Sequence, residues 1–249
     1  VDKIFIIDDD SDDKSIYNNI LSKNVTIIYK KKIIKNNYAN QLYKQIKSDF
    51  IWMIYCDVDE FITTKKNITN TIKDELITNF NDVDCIKIPW VMMSSNKLEK
   101  NPKSVLLENT YRWNHNIEHP NDSTKFRCRY KKIEVKCIFK TNKFNYIWDH
   151  HPEENNDEVT IVDSINKNTH IAPKGKKKRK LKSLYSNLRE NDIKNGYLLC
   201  YHYRIISKEH CKNKLKNNQF YKNCNIDNFL STDYSEIIDE TLKQKYIDL

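Results

Sequence analysis

Two glycines, Gly175 and Gly196, are all that this chain of 249 residues contains. A glycine-rich loop is what lets backbone amides close around a phosphate, in P-loops and in dinucleotide-binding turns alike, and neither can be built here. Any phosphate chemistry must rest on side chains instead. At 29.9 kDa the chain is long enough to bury one sizeable core. Its 39% hydrophobic and 31% charged residues are those of a soluble globular protein, and no apolar run approaches the roughly 18 residues of a membrane span.

Seven cysteines (Cys56, Cys85, Cys128, Cys137, Cys200, Cys211, Cys224) are spread without any C-x-x-C pair, and four lie in apolar, strand-like runs. They read as free thiols packed as small hydrophobes, which favours a reducing compartment such as the cytoplasm. The formal charge is +9, but the stretch from Lys174 to Lys182 carries seven basic residues and no acid, so the remainder is nearly neutral. A solvated loop is the default reading of that run, and a nucleic-acid or acidic-surface contact is the rival one. It lacks the interleaved aromatic residues that stack on single-stranded bases, so no specific nucleic acid is expected.

The N-terminal quarter alternates. Lys3 to Ile7 and Val25 to Tyr29 read as strands, Ser11 to Ser22 as a helix capped by Ser11, Asn37 to Lys47 as a helix, and Phe50 to Cys56 as a strand. That order predicts an α/β fold, a mostly parallel sheet flanked by helices, with the acids Asp8 to Asp10 and Asp57 to Glu60 on one rim. Asn70 to Phe80 follows as a helix with Ile72, Leu76 and Phe80 on one face, and Asp84 to Met92 as a strand that Pro89 marks as an edge or a bulge. Short strands at Val105 to Trp113, Ile133 to Phe139 and Phe144 to Trp148 predict an antiparallel C-terminal portion. A helix reaching Arg189, a strand Tyr197 to Tyr203 and helices at Ser207 to Gln219 and Asp233 to Tyr246 complete the expectation.

The chemistry concentrates at Asp57-Val58-Asp59. Strand alternation would place both carboxylates on one side with Val58 turned into the core. Two such carboxylates repel, and a hard divalent cation shared with substrate phosphates relieves this. Three further segments could join them: Ile88-Pro89-Trp90, Asp149-His150-His151-Pro152 and His202-Tyr203-Arg204-Ile205-Ile206-Ser207. Adjacent histidines on a strand face opposite ways, so a two-histidine clamp by His150 and His151 is not expected.

Taken together, Trp52 to Ile62 (W-M-I-Y-C-D-V-D-E-F-I) resembles the W-x-x-x-x-D-x-D-E-F segment of family 2-like and family 92-like glycosyltransferases of the GT-A type. Ile6 to Asp13 resembles their D-D/N-x-S-x-D segment, with Asp10 where glycine or asparagine is common, and the later segments resemble their P-W strand, histidine pair and H-Y-x-x-K-S element, with Ile206 in place of the lysine. The resemblance implies one GT-A-like, Rossmann-like domain over 1–249, with a nucleotide-sugar half at 1–92 and an acceptor half at 93–249. It implies transfer from a nucleotide-diphosphate sugar, UDP-linked in the simplest case, to a hydroxyl of a glycan or protein. Asp8, Asp9 and Asp57 would contact the nucleotide. Mn2+ or Mg2+ would bind Asp57, Asp59 and His202, and His151 would reach phosphate or acceptor. If the reaction inverts configuration, Asp149 or Glu118 is the expected base. The competing enzyme class for paired aspartates is a metal-dependent phosphodiesterase or nucleotidyltransferase.

Overall fold

The computed structural model describes residues 1–31, 35–119, 133–165, 168–175, 184–185, 188–217, 221 and 224–247. In chain order the first elements are β1 (Ile4–Asp9), β2 (Val25–Lys30), α1 (Lys35–Ile46), β3 (Trp52–Ile54), β4 (Glu60–Thr64), α2 (Ile72–Asn79) and β5 (Cys85–Ser94). They are followed by α3 (Val105–Glu108), β6 (Tyr111–Arg112), β7 (Ile133–Lys140), β8 (Phe144–Ile147), β9 (Pro152–Asn155), β10 (Val159–Asp163), β11 (Thr169–Ala172) and β12 (Leu184–Tyr185). The last are α4 (Glu190–Asn195), β13 (Leu198–His202), α5 (Lys208–Asn217), α6 (Ile226–Leu230), β14 (Ile237–Ile238) and α7 (Thr241–Tyr246). Among the described residues no helix is long and apolar enough to cross a membrane.

The fold is mixed α/β, but the sheet is not mostly parallel. Only β1 with β2, β10 with β5 and β13 with β5 run parallel among the described strands; the other pairings are antiparallel. The N-terminal alternation was read correctly as far as β1, β2 and α1. The pair β1 and β2 nevertheless forms its own two-stranded ladder, so the two acidic clusters share no sheet rim. Antiparallel strands are also not segregated at the C-terminal end, because β7 pairs directly along β5.

β5 is the central strand, and every residue of it except Lys87 is buried. Pro89 therefore lies in neither an edge nor an isolated bulge. Lys87 turns its carbonyl toward Ser164, just past β10, so Pro89, two residues on, turns its nitrogen to the same side. On that side β10 pairs only as far as Lys87 and β13 begins at Trp90, so the absent N–H falls in the gap between two neighbours.

Further departures follow burial. Residues 11–16 are all exposed, so a helix there would have no face to bury, and only a 3-10 turn forms at Ser15–Tyr17. Val105 and Leu106 dock as one helical turn next to α7 rather than extending as strand. Leu184 and Tyr185 pair with β7 instead of lying in a helix. The carboxylate of Asp233 is engaged by the Ser95 N–H at 3.0 Å, and helix starts only at Thr241. By contrast, α2 forms as expected, with Thr71 and Asp74 closing a capping box and Leu76 and Phe80 buried.

Two arrangements position the site. Along the path β3, β7, β5, β13, β4 each strand pairs with the next, which puts β3 and β4 at opposite ends. Residues 55–59 alone join them, and with 57–60 folded into a turn they reach that far because the sheet curls. The acidic segment is thereby drawn across the ends of β7, β5 and β13. The second arrangement is the β8–β9 hairpin. It is clamped by α1, where Asn40 exchanges two 2.8 Å hydrogen bonds with the N–H and carbonyl of Ile147, and the Tyr43 hydroxyl lies 2.9 Å from the carbonyls of Thr141 and Phe144.

Candidate active site

Because β3 ends at Ile54, strand alternation does not extend to Asp57, and the expectation for Val58 is reversed. Val58 is 96% exposed at the apex, while Glu60 is the buried member. The turn is closed by Asp57, whose N–H donates to Glu60 Oε2 at 2.8 Å, and by Glu60, whose N–H donates to the Asp57 carbonyl at 3.2 Å. Beneath it lies Lys136 of β7. Its ammonium is 3.1 Å from Asp57 Oδ2, 3.1 Å from Glu60 Oε2 and 2.6 Å from the Asp149 carbonyl. Burial works against an ammonium there, but Glu60 and Asp57 outweigh it and hold Lys136 charged.

Asp59 occupies the other end of the crossing. Its carbonyl accepts the Tyr203 N–H at 2.8 Å, and its Oδ2 accepts from Lys214 of α5 at 3.0 Å. His202 Nε2 lies 3.8 Å from Asp59 Oδ1, beyond a hydrogen bond. Burial would raise this carboxyl, yet His202 and Lys214 more than offset it and keep Asp59 ionised far below the usual carboxylate range. The repulsion between the aspartates is thus relieved by one buried or half-buried lysine apiece.

Trp90 links the histidines. Its ring sits 4.1 Å from the His202 ring and 5.2 Å, edge-on, from that of His150. His150 is held by Glu134 at 2.8 Å and the Val135 carbonyl at 3.2 Å, so it is the packing member of the pair. His151 turns the other way, its Nδ1 on the Pro152 carbonyl at 3.2 Å, and burial lowers its pKa. Glu60 Oε1, Trp90 Nε1 and His202 Nδ1 are buried without a hydrogen-bond partner among the described residues. All three belong to neighbouring strands, with His202 opposite Glu60 and the Trp90 ring tilted against that of His202. Buried polar atoms left open at one place mark where a water or ligand belongs.

A model of glycosyltransferase family 92 matches residues 40–242. The chain belongs to glycosyltransferase family 92. It is accordingly a glycosyltransferase, acting between a sugar donor and an acceptor. A comparison with individually curated proteins found no match.

Within this family 92 domain, other expected residues are placed unevenly. Asp149 is brought to the site through its carbonyl on Lys136. Glu118 is exposed and precedes His119, whose ring meets Glu236, Trp113 and Tyr234. Asp8 is buried, its carboxylate taking the Ser11 N–H at 2.8 Å and the Tyr17 hydroxyl at 2.5 Å, bonds that hold it below the usual carboxylate range. It organises the turn after β1, while Asp9 is exposed. Asp10 has φ of 64°, the left-handed conformation that favours glycine or asparagine, which accounts for the residue types common there. Of the basic run, 176–182 lies outside the described residues.

Among the described residues no group of three or more His, Cys, Asp or Glu side chains is gathered as a cation site. Asp59 and His202 do face each other, and the open Nδ1 of a buried imidazole leaves its tautomer unconstrained. An acid and an imidazole suit a manganese-class cation that draws its remaining ligands from a diphosphate and water. Lys136 and Lys214 went unnoticed in the sequence. The first sits in an alternating strand and the second in a lysine-rich helix, where a solvated face is the ordinary reading.

Proposed function

We propose that this domain transfers a sugar from a nucleotide-diphosphate donor, UDP-linked in the simplest case, to an acceptor hydroxyl, with the reacting groups gathered over residues 57–60. The observation that carries the reading is the crossing segment itself. It brings Asp57 to Lys136 and Asp59 to His202 and Lys214, at one end of the sheet and beside open buried polar atoms.

Asp59 and His202 would hold Mn2+ or Mg2+, with Asp57 on the metal or the ribose. When bound, the cation supplies positive charge where the leaving diphosphate develops negative charge. Lys214 lies against Asp59 and adds positive charge on the same side. Lys136 holds the Asp57 carboxylate in place at 3.1 Å, so that it meets the donor without reorganising. Asp8 shapes the turn that would present Asp9 to the nucleotide, and His151 would reach phosphate or acceptor. If configuration inverts, Asp149 is favoured over Glu118 as the base, because the Lys136 ammonium ties it to the site. In that arrangement 1–92 serves the donor and much of 93–249 the acceptor.

A thermal-shift screen of nucleotide sugars, each with and without Mn2+, tests the reading. Stabilisation by at least one nucleotide sugar that depends on Mn2+ is expected. Equal stabilisation in the presence of a chelator would remove the cation from the account, and no response to any nucleotide sugar would remove the donor.

A further inference from the structure

Trp148 is 40% exposed, on a chain whose other tryptophans are half-buried or buried. Leaving part of an indole in water forgoes hydrophobic gain, and a tryptophan exposed on a backbone tied to the acidic turn is apolar surface open to an occupant. Its loop is rigid on both sides. The Trp148 N–H donates to the His151 carbonyl at 2.9 Å, closing the β8–β9 hairpin, and Ile147 just before it is clamped by Asn40. On the other side the Asp149 carbonyl is fixed by Lys136, the same ammonium that holds Asp57 and Glu60, and His150 is pinned by Glu134 and Trp90. The residue next to the exposed indole is thus tied directly to the acidic turn, whose apex Val58 is itself exposed.

We propose that Trp148 is the platform for the acceptor, on which a sugar ring lies with its apolar C–H face against the indole. The inference rests on the reading of residues 57–60 as the transfer site. A pyranose has one face of C–H groups and a rim of hydroxyls, and the C–H face matches an exposed aromatic plane. With its backbone already tied on both sides, only the two side-chain torsions of the indole are left to order on binding. The acceptor is favoured over the nucleotide because Trp148 adjoins Asp149, the group placed to meet an acceptor hydroxyl. The β1–β2 ladder, where the nucleotide is expected, is a separate sheet.

The test uses the whole chain and the variants Trp148→Ala and Trp148→Phe, with a panel of methyl glycosides as probes in the presence of UDP and Mn2+. Ligand-observed NMR reads glycoside binding, and thermal shift reads UDP with Mn2+. At least one glycoside should bind the native chain, bind Trp148→Ala about tenfold more weakly, as an aromatic contact of this kind predicts, and recover in Trp148→Phe. The UDP response should be the same in all three. Unchanged glycoside affinity in Trp148→Ala would overturn the proposal, as would loss of the UDP response alone, which would assign the indole to the nucleotide. A native chain that responds to UDP and Mn2+ but binds no glycoside overturns the acceptor platform and leaves the transfer site standing. A chain that responds to neither strikes the transfer site itself, and the platform with it.

Discussion

Lys136→Met keeps most of the volume of the side chain and removes the charge shared by Asp57 and Glu60. Glu60 has a fully buried side chain, so its carboxylate cannot recover the lost partner by hydration; Asp57 is 35% exposed and largely can. Breaking a buried pair from one side costs about 3–5 kcal/mol, whereas the exposed partner adds at most about 1 kcal/mol. The lost bond to the Asp149 carbonyl contributes about 1 kcal/mol more. The variant should therefore be about 4–7 kcal/mol less stable at neutral pH, measured by urea denaturation of both proteins. Glu60→Gln made together with Lys136→Met replaces the stranded charge by an amide that can still accept from the Asp57 N–H, and should return much of the loss. A single variant destabilised by less than about 1 kcal/mol, or a double variant no better than the single, would refute the argument that Lys136 neutralises this turn.

Two other outcomes are expected. His115 is fully buried and its Nε2 accepts the Met92 N–H at 3.4 Å, so it must stay unprotonated; burial, helped by Arg112, pushes its pKa down to about 3. A group more easily protonated when unfolded stabilises the fold above its unfolded pKa of about 6.5 and loses that contribution as pH falls toward the folded value. About 2 kcal/mol should disappear between about pH 7.5 and pH 5. His115→Gln should flatten that slope in urea titrations, and an equally steep slope would deny His115 the role. His202→Ala should remove any preference for Mn2+ over Mg2+ in nucleotide-sugar binding, since magnesium accepts nitrogen poorly. A retained preference, with only stability lowered, would make His202 a packing residue under Trp90.

Much of the fold was legible where local pattern and burial agree. The apolar runs of β1, β2, β5 and β13 and the amphipathic face of α2 all formed close to their expected bounds. Strand pairing was not legible, because apolar runs alone do not tell a parallel neighbour from an antiparallel one, and β7 comes to lie beside β5 across about 40 residues. The acids at 57 and 59 could be singled out because they follow an apolar strand without a solvated loop. Their partners could not. Glu134 and Lys136 alternate with Ile133, Val135 and Cys137 like the wet face of a half-exposed strand, and only the crossing segment and the β8–β9 hairpin show that this face is covered. Lys214 is one of four lysines in α5, and nothing local separates it from the others.

The central claim is that the carboxylates at the crossing serve a nucleotide-sugar donor. It is tested most directly by measuring release of nucleoside diphosphate from a panel of nucleotide sugars, with Mn2+ and acceptor glycosides, by the native chain and by Asp59→Asn. The substitution keeps the side-chain shape while removing the charge that Lys214 and His202 face. The account predicts Mn2+-dependent release from at least one donor by the native chain, reduced at least about a hundredfold in Asp59→Asn, the scale of losing one electrostatic contact at a transition state. Native-like release by Asp59→Asn would contradict it.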